Sequence, residues 1–134
     1  MAVLASILQW QPAAVVLLAL RIKGRKDAIP FGPALVIGSG GILVELVADS
    51  ASLLLPTTRE AVQNAVLGLS VARLLKGYRG SPRGDMDALI DSIIAVANYA
   101  EANWDDISEL DVNPLMVLPE GEGVVAVDAL IVHR

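Results

Sequence analysis

The end of the chain has the pattern that most restricts the folds open to it. From Glu109 to Asn113, oxygen-bearing and apolar side chains alternate, which is typical of a strand that buries one face. A Pro-Glu-Gly-Glu turn follows, and a second apolar run then leads to Asp128. If a hairpin closes around that turn, Leu118 pairs with Gly123. Counting back along both strands then sets Asn113 opposite Asp128.

This register predicts a cation site on the polar face of the hairpin. Directly opposed side chains have Cβ atoms roughly 4.5–5.5 Å apart. Mg²⁺ commonly takes one or two protein oxygens and completes its shell with water and phosphate. Asn113 and Asp128 are therefore candidate metal ligands, with Asp111 beside them. An ordinary hairpin with a solvated polar face explains the same residues, and a slip of one residue in register would remove the site.

Composition excludes several classes of function. The chain has 134 residues, a formal net charge of −5 and no cysteine, which rules out thiol catalysis, disulfides and cysteine-ligated zinc. The acidic charge and the 4% aromatic content argue against a nucleic-acid partner. Polar residues and a proline interrupt the apolar stretch over residues 1–20. We therefore expect a strand over residues 13–22 instead of a membrane span. The absence of cysteine fits a reducing cytoplasm, and we expect a cytoplasmic location.

The pattern between the two ends predicts an α+β fold. Short apolar runs predict strands over residues 34–37, 42–47 and 52–55. Two amphipathic helices and the terminal hairpin follow these strands. This order favours a mostly antiparallel sheet with two main helices on one face. The single histidine, His133, is next to last, and we expect a frayed tail there.

The helices are predicted from their period and their caps. Thr57 and Glu60 form a capping-box pattern, and an apolar stripe then predicts one helix that ends at Gly77. A second helix begins near Asp85, with Ile93 among the residues that face the sheet. Cations collect near the end of the first helix, where they stabilise the terminus or bind phosphate: Arg73, Lys76, Arg79 and Arg83.

A glycine-rich loop follows the strand predicted over residues 34–37. The backbone N–H groups of Gly38, Gly40 and Gly41 are candidates for binding the phosphates of a cofactor. Glu45 is a further candidate, because a glutamate in an apolar run is either solvated or paired at a site. The loop is neither a dinucleotide-binding motif nor a P-loop. A tight β-turn with an outward-facing glutamate is the simpler explanation.

Three stretches resemble signatures of the ADP-forming acetate–CoA ligases, in the same order and at similar spacings. They are FGPALVIGSGGILVE over residues 31–45, LLKGYRGSP over residues 74–82 and ELDVNPL over residues 109–115. The last stretch is also similar to the hairpin of the succinyl-CoA synthetase β subunit. The resemblance implies the C-terminal lobe of an ATP-grasp domain over residues 30–134, preceded by an atypical segment over residues 1–29.

The resemblance also implies a site and a reaction. Asn113 and Asp128 match the metal-ligand positions of the family, and Asp111 lies two residues before the asparagine as a neighbouring group. The implied cofactor is Mg²⁺ with ATP or ADP. The implied reaction converts an acid, CoA and ATP into acyl-CoA, ADP and phosphate. It is reversible and proceeds through acyl phosphate and phosphohistidine.

The same resemblance implies partners. Neither the first ATP-grasp lobe of the family nor its CoA-binding domain, which carries the phosphohistidine, is matched in these residues. We expect the chain to be inactive alone and to need these parts from another domain or subunit; a homo-oligomer is also compatible with this assignment. Two other functions remain open. The chain could be a non-catalytic remnant that acts as an interaction or folding module, or a small anion-binding module that uses the glycine loop.

Overall fold

The computed structural model describes residues 16–23, 33–39 and 49–134. The elements, in chain order, are β1 (Val16–Lys23), β2 (Ala34–Ser39), β3 (Ser50–Leu54), α1 (Arg59–Leu67), α2 (Ala72–Leu75), α3 (Met86–Ala102), β4 (Ile107–Val117), β5 (Val124–Ala126) and β6 (Ala129–His133). The strands of these regions form one sheet in the order β3-β2-β1-β4-β5, and β6 pairs with the first half of β4. All the pairings are antiparallel. The predicted strand over residues 42–47 lies outside the described residues.

Alternation along the strands places the core on one side of this sheet. In β1, Leu18, Leu20 and Ile22 are fully buried, whereas the residues between them are partly exposed. The buried residues of the strands join those of the helices in one apolar cluster, which includes Val62 of α1 and Ile93 of α3. Each large side chain buried in this way contributes roughly 1.5–3 kcal/mol. The α+β prediction, with the helices on one face, is confirmed.

The first helix begins one residue later than the sequence predicted. Thr58, not Thr57, is the N-cap, and its hydroxyl oxygen accepts a hydrogen bond from the N–H of Ala61 at 3.1 Å. The predicted capping box is therefore wrong, because the residue three positions after the true cap is an alanine instead of Glu60. The helix also ends early, at the cap residue Gly68, so the single helix predicted up to Gly77 is two helices.

The second main helix, α3, begins where it was predicted to begin. Asp85 is its N-cap, and one carboxylate oxygen accepts from the N–H of Ala88 at 3.2 Å. The other oxygen accepts from the N–H groups of Gly121 at 3.1 Å and Gly123 at 2.8 Å, in the turn of the terminal hairpin. Ile93 is buried, as the period predicted. One carboxylate therefore fixes both the helix start and the hairpin turn.

Two further contacts tie the ends of elements together. Arg59 at the start of α1 forms ion pairs with Asp87 and Asp91 of α3. At the end of the chain, the N–H of Arg134 donates to the carbonyl of Asp106 at 2.9 Å. The frayed tail expected at His133 is wrong, because this residue ends β6. Within the described residues, every helix is too short or too polar to pass through a membrane.

Candidate functional site

The sheet face opposite the helices carries a polar row along β4. Leu110 and Val112 point into the core and are nearly fully buried. Glu109, Asp111 and Asn113 alternate with them and are partly exposed. The oxygen-bearing side chains that the sequence placed on one strand face therefore share that face in the structure.

The hairpin has the register that its turn predicts. The N–H of Leu118 donates to the carbonyl of Gly123 at 3.0 Å, which closes the turn. Further along, the N–H of Asn113 donates to the carbonyl of Asp128 at 3.1 Å. Asp128 lies in the two-residue gap between β5 and β6, and it is exposed. The two candidate metal ligands are thus directly opposed across the hairpin.

Arg21 of β1 is a member of this face that the sequence did not reveal. It is the cross-strand partner of Asp111, and its guanidinium lies 3.4 Å from a carboxylate oxygen of that residue. Its Nε lies 3.7 Å from the carboxylate of Glu109. The third predicted metal residue, Asp111, is therefore engaged by a cation. The partners lie 90 positions apart in the chain, so no local signal in the sequence could have joined them.

The donor set of this face fits a hard cation that arrives with its own oxygen ligands. Across residues 16–23, 33–39 and 49–134, no three carboxylate or imidazole side chains converge closely enough to hold a metal ion. The opposed pair would supply one carboxylate, from Asp128, and one amide oxygen, from Asn113. Mg²⁺ is typically bound by one or two such groups together with water and substrate phosphates. The residues therefore fit Mg²⁺ bound to a nucleotide, and their role as ligands stays a prediction.

Gly38, at the end of β2, has a packing reason for being a glycine. A Cβ atom placed there would lie 3.1 Å from the carbonyl oxygen of Asp49, a closer approach than ordinary van der Waals contact. This contact accounts for Gly38 without a bound phosphate. Gly40, Gly41 and Glu45 lie outside the described residues. Cofactor binding by the glycine loop and by this glutamate therefore remains a prediction.

Asp49 supports the chain beside that loop, and its role was not predicted. One carboxylate oxygen accepts from the N–H of Ser70 at 2.8 Å; the other accepts from the hydroxyl of Ser39 at 3.1 Å and the N–H of Val71 at 3.3 Å. Burial raises the pKa of the Asp49 carboxyl, but these hydrogen bonds outweigh burial and hold the pKa below its ordinary value. The contacts to Ser70 and Val71 fix the backbone just before α2, which explains where the predicted single helix breaks.

The cations near α2 have local partners. The guanidinium groups of Arg73 and Arg79 lie 4.8 and 5.2 Å from the centre of the Tyr78 ring. Arg83 lies 3.8 Å from the carboxylate of Glu120. Cation–π contacts and an ion pair therefore occupy three of the four cations that the sequence grouped here. Phosphate binding by this cluster has no further support.

Comparison with known proteins identifies the fold that presents this face. A family model described as an ATP-grasp domain matches residues 9–132. The chain belongs to the ATP-grasp family. One similar solved structure is an acetyl-coenzyme A synthetase of Ca. Korarchaeum cryptofilum in complex with coenzyme A and Mg-AMPPCP. It superposes on this chain with a TM-score of 0.80 and 29% sequence identity. The match covers 89% of this chain and 53% of that one. The predicted ATP-grasp lobe is thereby confirmed.

Curated relatives of this ATP-grasp chain are CoA ligases and synthases. The β subunit of an ADP-forming acetate–CoA ligase of Pyrococcus furiosus is 34% identical over 104 residues, which are 78% of this chain and 44% of the subunit. A trans-feruloyl-CoA synthase from an unknown prokaryotic organism is 38% identical over 110 residues, 82% of this chain and 15% of that protein. The chain thus spans less than half the length of either relative.

Proposed function

We propose that this chain is the lobe of an ADP-forming acyl-CoA synthetase that binds the Mg²⁺–nucleotide phosphates. The observation that carries the proposal is the hairpin register, in which the N–H of Asn113 donates to the carbonyl of Asp128 at 3.1 Å. Similarity to ADP-forming acetate–CoA ligases supports the same assignment. The complex of the related synthetase with Mg-AMPPCP supports a metal-bound nucleotide as the ligand.

In this proposal each residue of the polar face has a distinct task. Asn113 and Asp128 would hold the ion, which when bound neutralises charge on the nucleotide phosphates. Asp128 supplies the negative charge that retains the ion, and Asn113 supplies a neutral oxygen that leaves room for anionic phosphates. Asp111 stays paired with Arg21 and shapes the field next to the site. No side chain of this face has to transfer the phosphoryl group.

The overall reaction would require further parts of the enzyme. The related synthetase is described with a phosphohistidine segment that points towards its nucleotide-binding site. We assign the corresponding segment, the CoA-binding domain and the first ATP-grasp lobe to other domains or subunits. The proposed assembly is cytoplasmic, and a homo-oligomer is compatible with it. Exposed apolar side chains on the polar sheet face support a docked partner: Leu54 at 52%, Leu130 at 57% and Val132 at 38% exposure.

The alternative is a non-catalytic remnant that keeps the fold and this exposed apolar surface as an interaction module. The two functions differ in what they require of Asp128. A remnant needs the backbone register at this position but not the carboxylate. The synthetase lobe needs both, because the carboxylate holds the ion at the reacting phosphates.

The test is reconstitution of activity in trans. The isolated chain should not make ATP from acetyl-CoA, ADP and phosphate. When the first ATP-grasp lobe and the CoA-binding domain of a related enzyme are added, turnover should appear. Asp128→Asn should then lower kcat by roughly a hundredfold or more, the usual scale for losing one electrostatic contact to a transition state. Asp105→Asn, which removes an exposed carboxylate in the loop before β4, is the matched control.

Two results would contradict the proposal. Robust ATP synthesis by the 134-residue chain alone would show that no further lobe is needed. Equal turnover of the Asp128→Asn and Asp105→Asn enzymes would remove Asp128 from the site. Because Asp128 is exposed, its replacement by asparagine should leave the free energy of unfolding within about 0.5 kcal/mol of the starting value.

A further inference from the structure

Arg21 is a half-exposed cation in the middle of the polar sheet face. Its side chain is 48% exposed, and those of its partners Glu109 and Asp111 are 33% and 22% exposed. We propose that Arg21 is a positioning residue that neutralises these carboxylates, so that the site takes a metal ion together with nucleotide phosphates in preference to the bare ion. The inference rests on the function proposed above and adds a selectivity device to it.

The spacing along β4 brings Arg21 and its partners Glu109 and Asp111 close to the proposed site. Residues two apart on a strand are separated by roughly 6.5–7 Å and face the same way. Asp111 is two positions from Asn113, which pairs with Asp128. Without Arg21, three carboxylates would act on this region: those of Glu109, Asp111 and Asp128. Lys23 lies opposite Glu109, at the end of the row farther from Asn113, and is exposed to solvent. Such a field attracts a divalent cation and repels the phosphates that should accompany it.

Arg21 changes this balance because it contacts two of the three carboxylates. Its positive charge weakens the attraction for a bare cation and favours a phosphate-bearing ligand. Coulomb's law for a unit charge and a divalent ion roughly 8 Å apart in water at low ionic strength corresponds to a change in affinity of roughly three- to sixfold. The effect should have opposite signs for the metal alone and for the nucleotide.

The experiment compares two arginine variants of the full chain. Free Mn²⁺ is followed by electron paramagnetic resonance to obtain the Kd of the metal alone, and ADP binding at saturating Mn²⁺ is followed by calorimetry. At low ionic strength, Arg21→Gln should tighten Mn²⁺ binding and weaken ADP binding, each by roughly three- to sixfold. Arg59→Gln is the matched control. Arg59 is 46% exposed and, like Arg21, pairs with two carboxylates, but it lies on α1 in the helix layer.

Opposite shifts for the two ligands in Arg21→Gln, with neither in Arg59→Gln, support the proposal. The proposal is overturned if the Kd values for Mn²⁺ and ADP shift in the same direction in Arg21→Gln. It is also overturned if Arg21→Gln and Arg59→Gln give the same result. Arg21→Lys keeps the charge and should stay within about twofold of the starting protein; if it behaves like Arg21→Gln, neutralisation is not the cause. If Asp128→Asn binds Mn²⁺ as tightly as the starting protein does, the proposed metal site itself is wrong. This outcome is distinct from a failure of the Arg21 proposal alone.

Discussion

Replacing Asp85 by alanine should destabilise the protein more than replacing any other carboxylate near it. The carboxylate accepts hydrogen bonds from the N–H groups of Ala88, Gly121 and Gly123. Loss of an N-cap costs about 1 kcal/mol. A hydrogen bond to a charged acceptor usually contributes more than a neutral one, but these two lie in a partly exposed setting. Each bond to the hairpin turn therefore contributes about 1 kcal/mol. The sum is about 3 kcal/mol.

This loss is large enough to measure in two ways. Urea unfolding followed by circular dichroism should show a lower midpoint with an unchanged slope. For a domain of this size, the same loss lowers Tm by about 10 °C. Asp85→Asn keeps one acceptor oxygen and the side-chain volume, so it should lose about half as much stability.

Asp87→Ala is the matched control, two residues along the same helix. Its side chain is 92% exposed and makes only a loose ion pair with Arg59 at 3.6 Å. We expect a loss below about 0.5 kcal/mol. If Asp85→Ala and Asp87→Ala have equal stabilities, the carboxylate does not join the helix to the hairpin, and the reasoning is refuted.

Two further predictions concern the core and the loop next to β2. Ile93→Ala should lower the free energy of unfolding, measured with urea, by about 2–5 kcal/mol because Ile93 is fully buried. The control Asn98→Ala, on the exposed side of α3, should lower it by less than about 0.5 kcal/mol. A similar small loss in both variants would place Ile93 in solvent. The pKa of Asp49 is lowered in the folded protein, so its stabilising effect is present above the unfolded value of about 3.9 and is lost as the pH falls through the lower folded value. The stability gap between the starting protein and Asp49→Asn should therefore shrink from pH 7 to pH 3, and a constant gap would contradict this.

The features that the sequence predicted are those set by local patterns. The turn before Gly123 and the alternation around Asp111 determine the hairpin, and they were sufficient to pair Asn113 with Asp128. The period of α3 and its cap at Asp85 were also predictable, because a helix start depends on the residues next to it.

The features that were missed depend on contacts between distant residues. Asp49 bonds to Ser70 and Val71 across more than twenty positions, so this contact had no local signal, although Gly68, where the first helix ends, is itself a local sign of a helix end. Arg21 reaches Asp111 only because β1 and β4 are neighbours in the sheet. The order of strands is a property of the whole fold, and charge pairing on the site face follows from it.

The most direct test of the central claim is the position of a bound paramagnetic ion. Mn²⁺ titrated into ¹⁵N-labelled protein broadens the amide signals nearest to it. We predict broadening centred on Asn113 and Asp128, weak with Mn²⁺ alone, stronger when ADP is present and absent in Asp128→Asn. Broadening centred elsewhere, or broadening at Asn113 that persists unchanged in Asp128→Asn, would contradict the assignment of the hairpin as the metal–nucleotide site.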